Sequence, residues 1–500
     1  MPVRKDKSPS GDGPSEGSSG DKEERYRRLP TGNHGLDPEQ VRLDQRRRLR
    51  EAMLELIVER GYPGVRIADL AKLAHVSAPT FYDLYAGKEE LFLDAYASIT
   101  SRMAETVLGA YSADRPDDER LSAAIEAACH FAADEPETVS LLVLGAFGAG
   151  PGALEHRRAS LAELERSIQR SRDGGGQLIA GDYTVKAILG GIREALANRL
   201  HELRYDALRQ MAPEIVAWAG CYPRRLPDGL AIAAPPEDGG PAPAASERAK
   251  RAEGPLPSGR SELPRQSIVK SQRERIVDAT ASIVAEKGLA GLTIPEIARR
   301  ASISHQTFYS IYPSKQDAFL GAQKVSMHQA VQVTGQAFTA QGPDWPHAVA
   351  AGLQALLEFL ASEPAHARLT LVDTFGASRE SMEIRGASMA AFREFLKPGY
   401  MLAAKRQQSA HPPALAAEAV TGGIWQILHY YIEHSWFSAL PALAPQLTYF
   451  ALTPFLGLEA AVATARSIPP PPAEQEQATP TTWNAPQRAE AADDDELSLA

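Results

Sequence analysis

The feature that most constrains what this 500-residue chain can fold into is that it is written twice. A shift of 227 residues lays Arg46–Ala95 on Arg273–Ala322 without a gap, and 18 of those 50 positions are identical. The likeness runs on beyond that stretch. Pro116-Asp117 matches Pro343-Asp344, and after a one-residue slip Phe147-Gly148-Ala149 matches Phe375-Gly376-Ala377. Gly190-Gly191-Ile192 matches Gly422-Gly423-Ile424, and Ala212-Pro213 matches Ala444-Pro445. The period is that of a whole domain rather than a stacked repeat of 20–50 residues, so a complete unit is duplicated and one fold must serve both halves.

Composition marks where the units begin and end. Gly, Ser, Pro and charge dominate 1–41, Pro, Ala, Gly and Glu dominate 222–267, and a Pro/Ala/Glu stretch with an acidic end fills 468–500. The first and last read as disordered tails and the middle one as a semi-extended linker. Between them lie 42–96 and 97–221, then 268–323 and 324–467, each pair a small domain followed by a larger one. No run of eighteen apolar residues predicts a membrane span. Cys129 and Cys221 stand far apart without a Cys/His cluster. A cytoplasmic protein without disulfide, structural metal or cofactor is therefore expected.

Both units predict an all-α fold. Ala52, Leu56 and Ile57, and in the second copy Ala279, Ile283 and Val284, recur at helical spacing. Gly61 and Gly64, and likewise Gly288 and Gly291, stop the first helix of each unit. In the second copy Thr293-Ile-Pro-Glu296 has the form of a capping box opening a short helix, Pro295–Ala301. Ser304 is placed to cap another, His305–Tyr312. The first copy repeats the pair as Ile67–Ala74 and, capped by Ser77, Ala78–Tyr85. Two short helices joined by a tight turn, the second polar at its start, make a helix-turn-helix whose second helix enters the major groove. A further helix opens with Lys88 or Lys315.

At this point the sequence resembles the TetR family of regulators. The resemblance rests on the segments Ser77–Leu91 and Ser304–Ala318, which share Thr-Phe-Tyr-x-x-Tyr-x-x-Lys. It implies three short DNA-binding helices followed by a larger helical domain for ligand binding and dimerisation. It also implies that Tyr82, Lys88, Tyr309 and Lys315 contact phosphates. The close match covers the two small domains; the larger ones resemble the family in helical character and length.

The residues themselves divide the copies. His305, Gln306 and Thr307 offer hydrogen bonds and a methyl group to base edges. The first copy offers Ala78, Pro79 and Thr80. Arg66 stands where Thr293 caps the second copy, so the cap is expected to be lost there, with Arg66 free to meet phosphate instead. The run Arg46-Arg47-Arg48 is expected to add phosphate contacts. The second module thus reads as the base reader and the first as a clamp, and double-stranded DNA is the expected partner despite a net charge of −10.

Aromatic residues crowd the second large domain, and Phe375, Trp425, Tyr430 and Trp436 are the candidates there for a pocket holding a small apolar or aromatic ligand. His429, Glu433 and His434 share a helix face without further ligands, which reads as solvated or ligand-lining rather than metal-binding. Gly148-x-Gly150-x-Gly152 follows a helical run and reads as a loop. The expected activity is that of a regulator, a repressor in form, and not of an enzyme. One chain supplies an intramolecular pseudo-dimer, open to a further homodimer. The competing reading is a ligand-sensing or protein-binding adaptor whose DNA contacts have decayed.

Overall fold

The computed structural model describes residues 26, 37–111, 116–145, 155, 159, 162–166, 168, 182–223, 225–232, 265–372, 378–405 and 411–469. Among these every regular element is a helix. In the first unit α1 (Pro38–Gly64), α2 (Ile67–Leu73) and α3 (Ala78–Leu84) precede α4 (Lys88–Ala110), α5 (Asp117–Asp134), α6 (Pro136–Ser140), α7 (Thr184–His201), α8 (Tyr205–Gln210) and α9 (Ala212–Ala219). The second unit repeats the opening as α10 (Arg265–Lys287), α11 (Ile294–Arg300) and α12 (His305–Ile311). It continues with α13 (Lys315–Ala340), α14 (Trp345–Ser362), α15 (Pro364–Leu371), α16 (Arg379–Glu394), α17 (Lys397–Lys405), α18 (Ala416–Glu433), α19 (Ala444–Leu456) and α20 (Leu458–Arg466). No described helix is long and apolar enough to cross a membrane.

The two small domains are built by the same local devices. Gly61 and Gly288 adopt φ of 68° and 66°, a left-handed conformation that a residue without Cβ takes at little cost, and the first helix breaks there. The turn between the paired short helices also passes through the left-handed region at equivalent places, His75 and Ser302, with φ of 54° and 51°. Phe81 and Phe308 lie fully buried beneath these turns, each amid its own apolar cluster. Burying such a ring contributes about 1.5–3 kcal/mol, so the short helices are held mainly by this packing and not by intrinsic propensity.

The second small domain is also tied by polar contacts to the larger one behind it. His366 on α15 places Nε2 3.2 Å from Asp278 Oδ1 on α10 and Nδ1 2.7 Å from Ser326 Oγ on α13. All three side chains are buried, and Ser326 also donates to Ala322 O, so the row reads as a structural clamp between domains.

The halves meet along α7 and α18. Contacts pair early residues of one helix with late residues of the other, from Lys186 and Tyr430 to Asn198 and Glu418, so the helices run antiparallel. They cross where Gly190-Gly191 faces Gly422-Gly423. A Cβ at Gly191 would lie closer than 3.0 Å to Ala419 O and the Trp218 ring; one at Gly423 would meet Ala187 O and the Phe450 ring as closely. These contacts interchange under a shift of 232 residues, the signature of a pseudo-two-fold axis through the crossing.

Packing extends past the expected domain edges. Tyr26, within the expected N-terminal tail, is buried and donates its hydroxyl to Glu55 Oε2 at 3.0 Å. Beyond residue 221 the chain stays packed: Leu226 and Leu230 are buried, and Tyr222 stacks on Phe450 with centroids 4.7 Å apart and donates to Phe450 O. A segment expected to open the linker therefore straps the first half to the second.

Candidate nucleic-acid interface

Each short second helix is capped as its sequence predicts. Ser77 Oγ accepts from the Thr80 N–H at 3.1 Å, and Ser304 Oγ from the Thr307 N–H at 3.0 Å. The threonine hydroxyls turn back onto the same serines, at 2.7 and 2.9 Å. Thr80 and Thr307 therefore share their hydroxyls with the cap, which leaves an acceptor position and the methyl to offer a base. His305 and Gln306 stand exposed at the start of α12, while Ala78 and Pro79 occupy those places on α3.

Tyr82 and Tyr309 are the conspicuous residues of this surface. They are 58% and 56% exposed, although each ring rests edge-on against a buried neighbour, Phe81 or Phe308, at 5.4 and 5.6 Å. A ring braced at its base with its hydroxyl in solvent suits a donor to phosphate.

Both lysines are also engaged within the fold. Lys88 Nζ donates to Tyr62 O and Val65 O, both at 3.0 Å, and lies 4.3 Å from the Tyr62 ring centroid. Lys315 Nζ donates to Leu292 O at 2.9 Å. Each ammonium thus holds the carbonyls that end the first helix–turn segment. An ammonium has three protons, so one at Lys88 and two at Lys315 are left over from these bonds.

Two expectations are corrected by the geometry. Thr293 stands at the N-cap of α11, but its side chain makes no capping bond, and Glu296 turns outward to Lys287, Arg299 and Arg300 instead of back to the cap. These guanidinium hydrogen bonds hold the Glu296 carboxyl well below the usual carboxylate range. Arg66 has no cap either and forks onto Asp69 at 2.8 and 3.2 Å, so the copies do not differ in capping here. In the run Arg46-Arg47-Arg48 the charges are engaged within the fold, although only Arg48 is buried and Arg46 stays exposed. Arg48 is buried, donating to Ala74 O and Asp44; Arg47 bridges Asp44 and Glu51; Arg46 lies over the Tyr85 ring. Sequence counts the charges but cannot see which of them the fold consumes.

Behind the modules lie two unequal cavities. One of about 580 Å³ opens in the first half, among Met103, Ile125, Ile188 and Leu196 of that half. Its polar wall joins Lys186 and Arg193 of α7 to His429, Tyr430 and Glu433 of α18. Lys186 Nζ sits 2.6 Å from Glu165 Oε2 and 4.0 Å from the Tyr430 ring centroid. The other cavity, about 80 Å³ and almost wholly apolar, lies in the second half among Met327, Leu353, Met389, Phe395 and Trp425. The larger space is thus in the half poorer in aromatics.

Of the four candidate pocket residues, Trp425 lines the small cavity and Tyr430 the large one. Trp436 lines neither and packs against Tyr430, Tyr431 and His434. Phe375 lies outside the described residues, as do Phe147 and the Gly148–Gly152 segment. The sequence reading missed Lys186 and Arg193, which are two of the four charged residues on α7. His429 places Nδ1 2.6 Å from Leu371 O and Nε2 3.7 Å from Glu433 Oε1, and no group of three or more His, Cys, Asp or Glu among the described residues is arranged to hold a metal ion.

The family model for bacterial regulatory proteins of the tetR family matches this chain twice, over residues 49–95 and 276–321. No curated protein matches it. Similar solved structures include the fatty acid degradation regulator FadR from Bacillus halodurans, at 15% identity and a TM-score of 0.32 over 34% of this chain and 96% of that one. FadR from Bacillus subtilis in complex with stearoyl-CoA gives the same figures, 15%, 0.32, 34% and 96%. A tetR family transcription regulator from Shewanella sp. PV-4 is 16% identical with a TM-score of 0.29, over 34% of this chain and 95% of that one. Two segments of the chain, in tandem, thus match the model of the tetR family of bacterial regulatory proteins, both over the small helix-turn-helix domains.

Proposed function

We propose that this DNA-binding regulator is a sequence-specific repressor in which one chain supplies both DNA-reading modules and a ligand in the helical domains controls release. The observation that carries the reading is the pair of half-exposed tyrosines, Tyr82 and Tyr309. Each large ring is presented at the same place on a capped second helix, where burial would otherwise be expected. Around Tyr309, the exposed His305 and Gln306 supply base-reading groups. Around Tyr82 there are none, so α12 reads sequence and α3 clamps the backbone. The two helices must then reach successive major grooves, ~34–36 Å apart.

The cavity of the first half is the place we assign to the ligand. It is large enough for an apolar or aromatic molecule with a polar end, and its polar wall comes partly from α18 of the other half. A ligand there would bear on the relation between the halves. It would release DNA only by binding more tightly to the conformer with the wrong module spacing.

The test is DNA affinity at fixed salt for Tyr309→Ala and Lys315→Ala in the intact chain, on DNA selected by the wild-type protein. Loss of one phosphate contact would weaken binding by roughly five- to thirtyfold, about 1–2 kcal/mol, across all sequences. Unchanged affinity for both variants would favour the adaptor reading.

A further inference from the structure

The pseudo-two-fold axis lets each residue of α7 be compared with its counterpart on α18, 232 positions on. Most pairs near the crossing match: Ala187 with Ala419, Gly190 with Gly422, Gly191 with Gly423, Ile192 with Ile424. The charged ones do not. Lys186 corresponds to Glu418, Arg199 to Tyr431, Asn198 to Tyr430, and Glu194 to Gln426. These mismatches are among the residues that join the halves. Glu418 takes Arg199 Nη1 at 2.6 Å and Asn198 Nδ2 at 2.5 Å, with side chains 14% and 19% exposed for Glu418 and Arg199. At the opposite end of the crossing, Lys186 lies over the Tyr430 ring. Near the axis the buried Glu194 takes Arg385 of α16 at 2.6 and 3.4 Å, and that guanidinium also lies 4.8 Å from the Trp425 ring centroid.

We propose that α7 and α18 carry a charge code that admits only unlike halves and works against the like-with-like pairing that a duplicated unit inherits. Symmetry gives the alternatives. If α7 met a second α7, Lys186 of each copy would take the place of Glu418 and face Arg199 and Asn198 of the other, two partly buried cation–cation contacts with Glu165 as the carboxylate beside each lysine. If α18 met a second α18, Glu418 would face Tyr430 and Tyr431 with no cation, and Arg385 would meet Gln426 instead of Glu194. Like charges held partly out of solvent, and the buried Arg385 turned from a carboxylate to an amide, both disfavour like pairing. The unlike pairing removes all of these defects at once. A single chain that closes on itself then presents two different DNA modules in a fixed order, which a like-with-like assembly would not.

This deepens the single-chain arrangement proposed above, but its test reads stability and not DNA, so the two can fail separately. The experiment is thermal unfolding of the intact chain carrying Arg199→Glu, Glu418→Arg, or both. With unlike pairing, each reversal puts like charges face to face, and the midpoint falls by about 5–15 °C. The double variant restores the ion pair and recovers at least half of that fall. With like pairing the signs differ: Arg199→Glu would face Lys186 and raise the midpoint, and the double would be additive. Either of those results, or an unchanged midpoint in the single variants, overturns the proposal. Should a reversal prove too unstable to purify, the cycle of Arg199→Gln and Glu418→Gln serves. The double is expected to fall no further than the worse single, and additive falls would overturn the code.

Discussion

Replacing Gly423 by alanine is expected to destabilise the chain, although the same change usually stabilises a helix. Gly423 sits in the interior of α18, where alanine gains about 0.5–1 kcal/mol over glycine from backbone entropy. Against this stands the crossing with α7. The added methyl would lie 2.6 Å from Ala187 O and 2.6 and 2.7 Å from the Phe450 ring. The first is backbone of the facing helix and the second is a fully packed ring, so neither gives way as a flexible side chain would. Relief requires the helices to part, and overpacking of this kind costs about 1–3 kcal/mol, occasionally more. The net effect is a loss of roughly 1–2 kcal/mol, or about 2–8 °C in the unfolding midpoint of a domain this size. Gly386, in α16 with nothing within 4 Å of its would-be Cβ, supplies the control, and Gly386→Ala is expected to raise the midpoint. Thermal unfolding of both intact variants decides the matter. If Gly423→Ala stabilises as much as Gly386→Ala, the close crossing of the halves is refuted.

Other outcomes follow from the same contacts. Burial alone would raise the Glu194 carboxyl, but the facing Arg385, helped by Arg193 and Arg393, outweighs it and holds the group below its ordinary value. A depressed carboxylate stabilises above the unfolded value near 4.3 and loses that contribution as pH falls through the folded one. Acid titration below about pH 4.3 should therefore loosen wild type more than Glu194→Gln, as read by unfolding midpoints; parallel curves would count against it. Tyr309→Phe removes the hydroxyl and keeps the ring on Phe308, so DNA affinity should fall about threefold to tenfold at unchanged salt slope, since no cation is lost. A changed slope or unchanged affinity would remove the hydroxyl from the interface. His366→Leu takes the imidazole contact from the buried Asp278 and Ser326 and should cost about 1–3 kcal/mol, with hydrogen exchange quickening first in α10; uniform quickening would mean that the clamp is not local.

Much of this architecture is legible because duplication shows the same signal twice. The glycine stops, the serine caps at Ser77 and Ser304, and the Thr-Phe-Tyr segments are local devices, and local devices are written in neighbouring residues. Gly190-Gly191 and Gly422-Gly423 are visible as a matching pair, yet their reason is a contact between positions more than 200 residues apart in sequence. The same limit explains the misreadings. Thr293 and Glu296 have capping-box spacing, but Lys287, Arg299 and Arg300 compete for the carboxylate. Arg48 looks like a surface charge until Ala74 O is found within its reach, 26 residues on. Aromatic content points to a pocket in the second half, where the rings leave an apolar cavity of about 80 Å³, while the larger one depends on how the halves pack and has no local signal.

The central claim is that one chain reads DNA with two unequal modules. The most direct measurement is selection of bound DNA from a random pool, with the mass of the protein–DNA complex determined on the selected sequence. One 53.9 kDa chain per duplex is expected, on two dissimilar half-sites about 10 base pairs apart, with the stronger base preference lost in Gln306→Ala. A perfect palindrome bound by two chains, each using the same module, would contradict it.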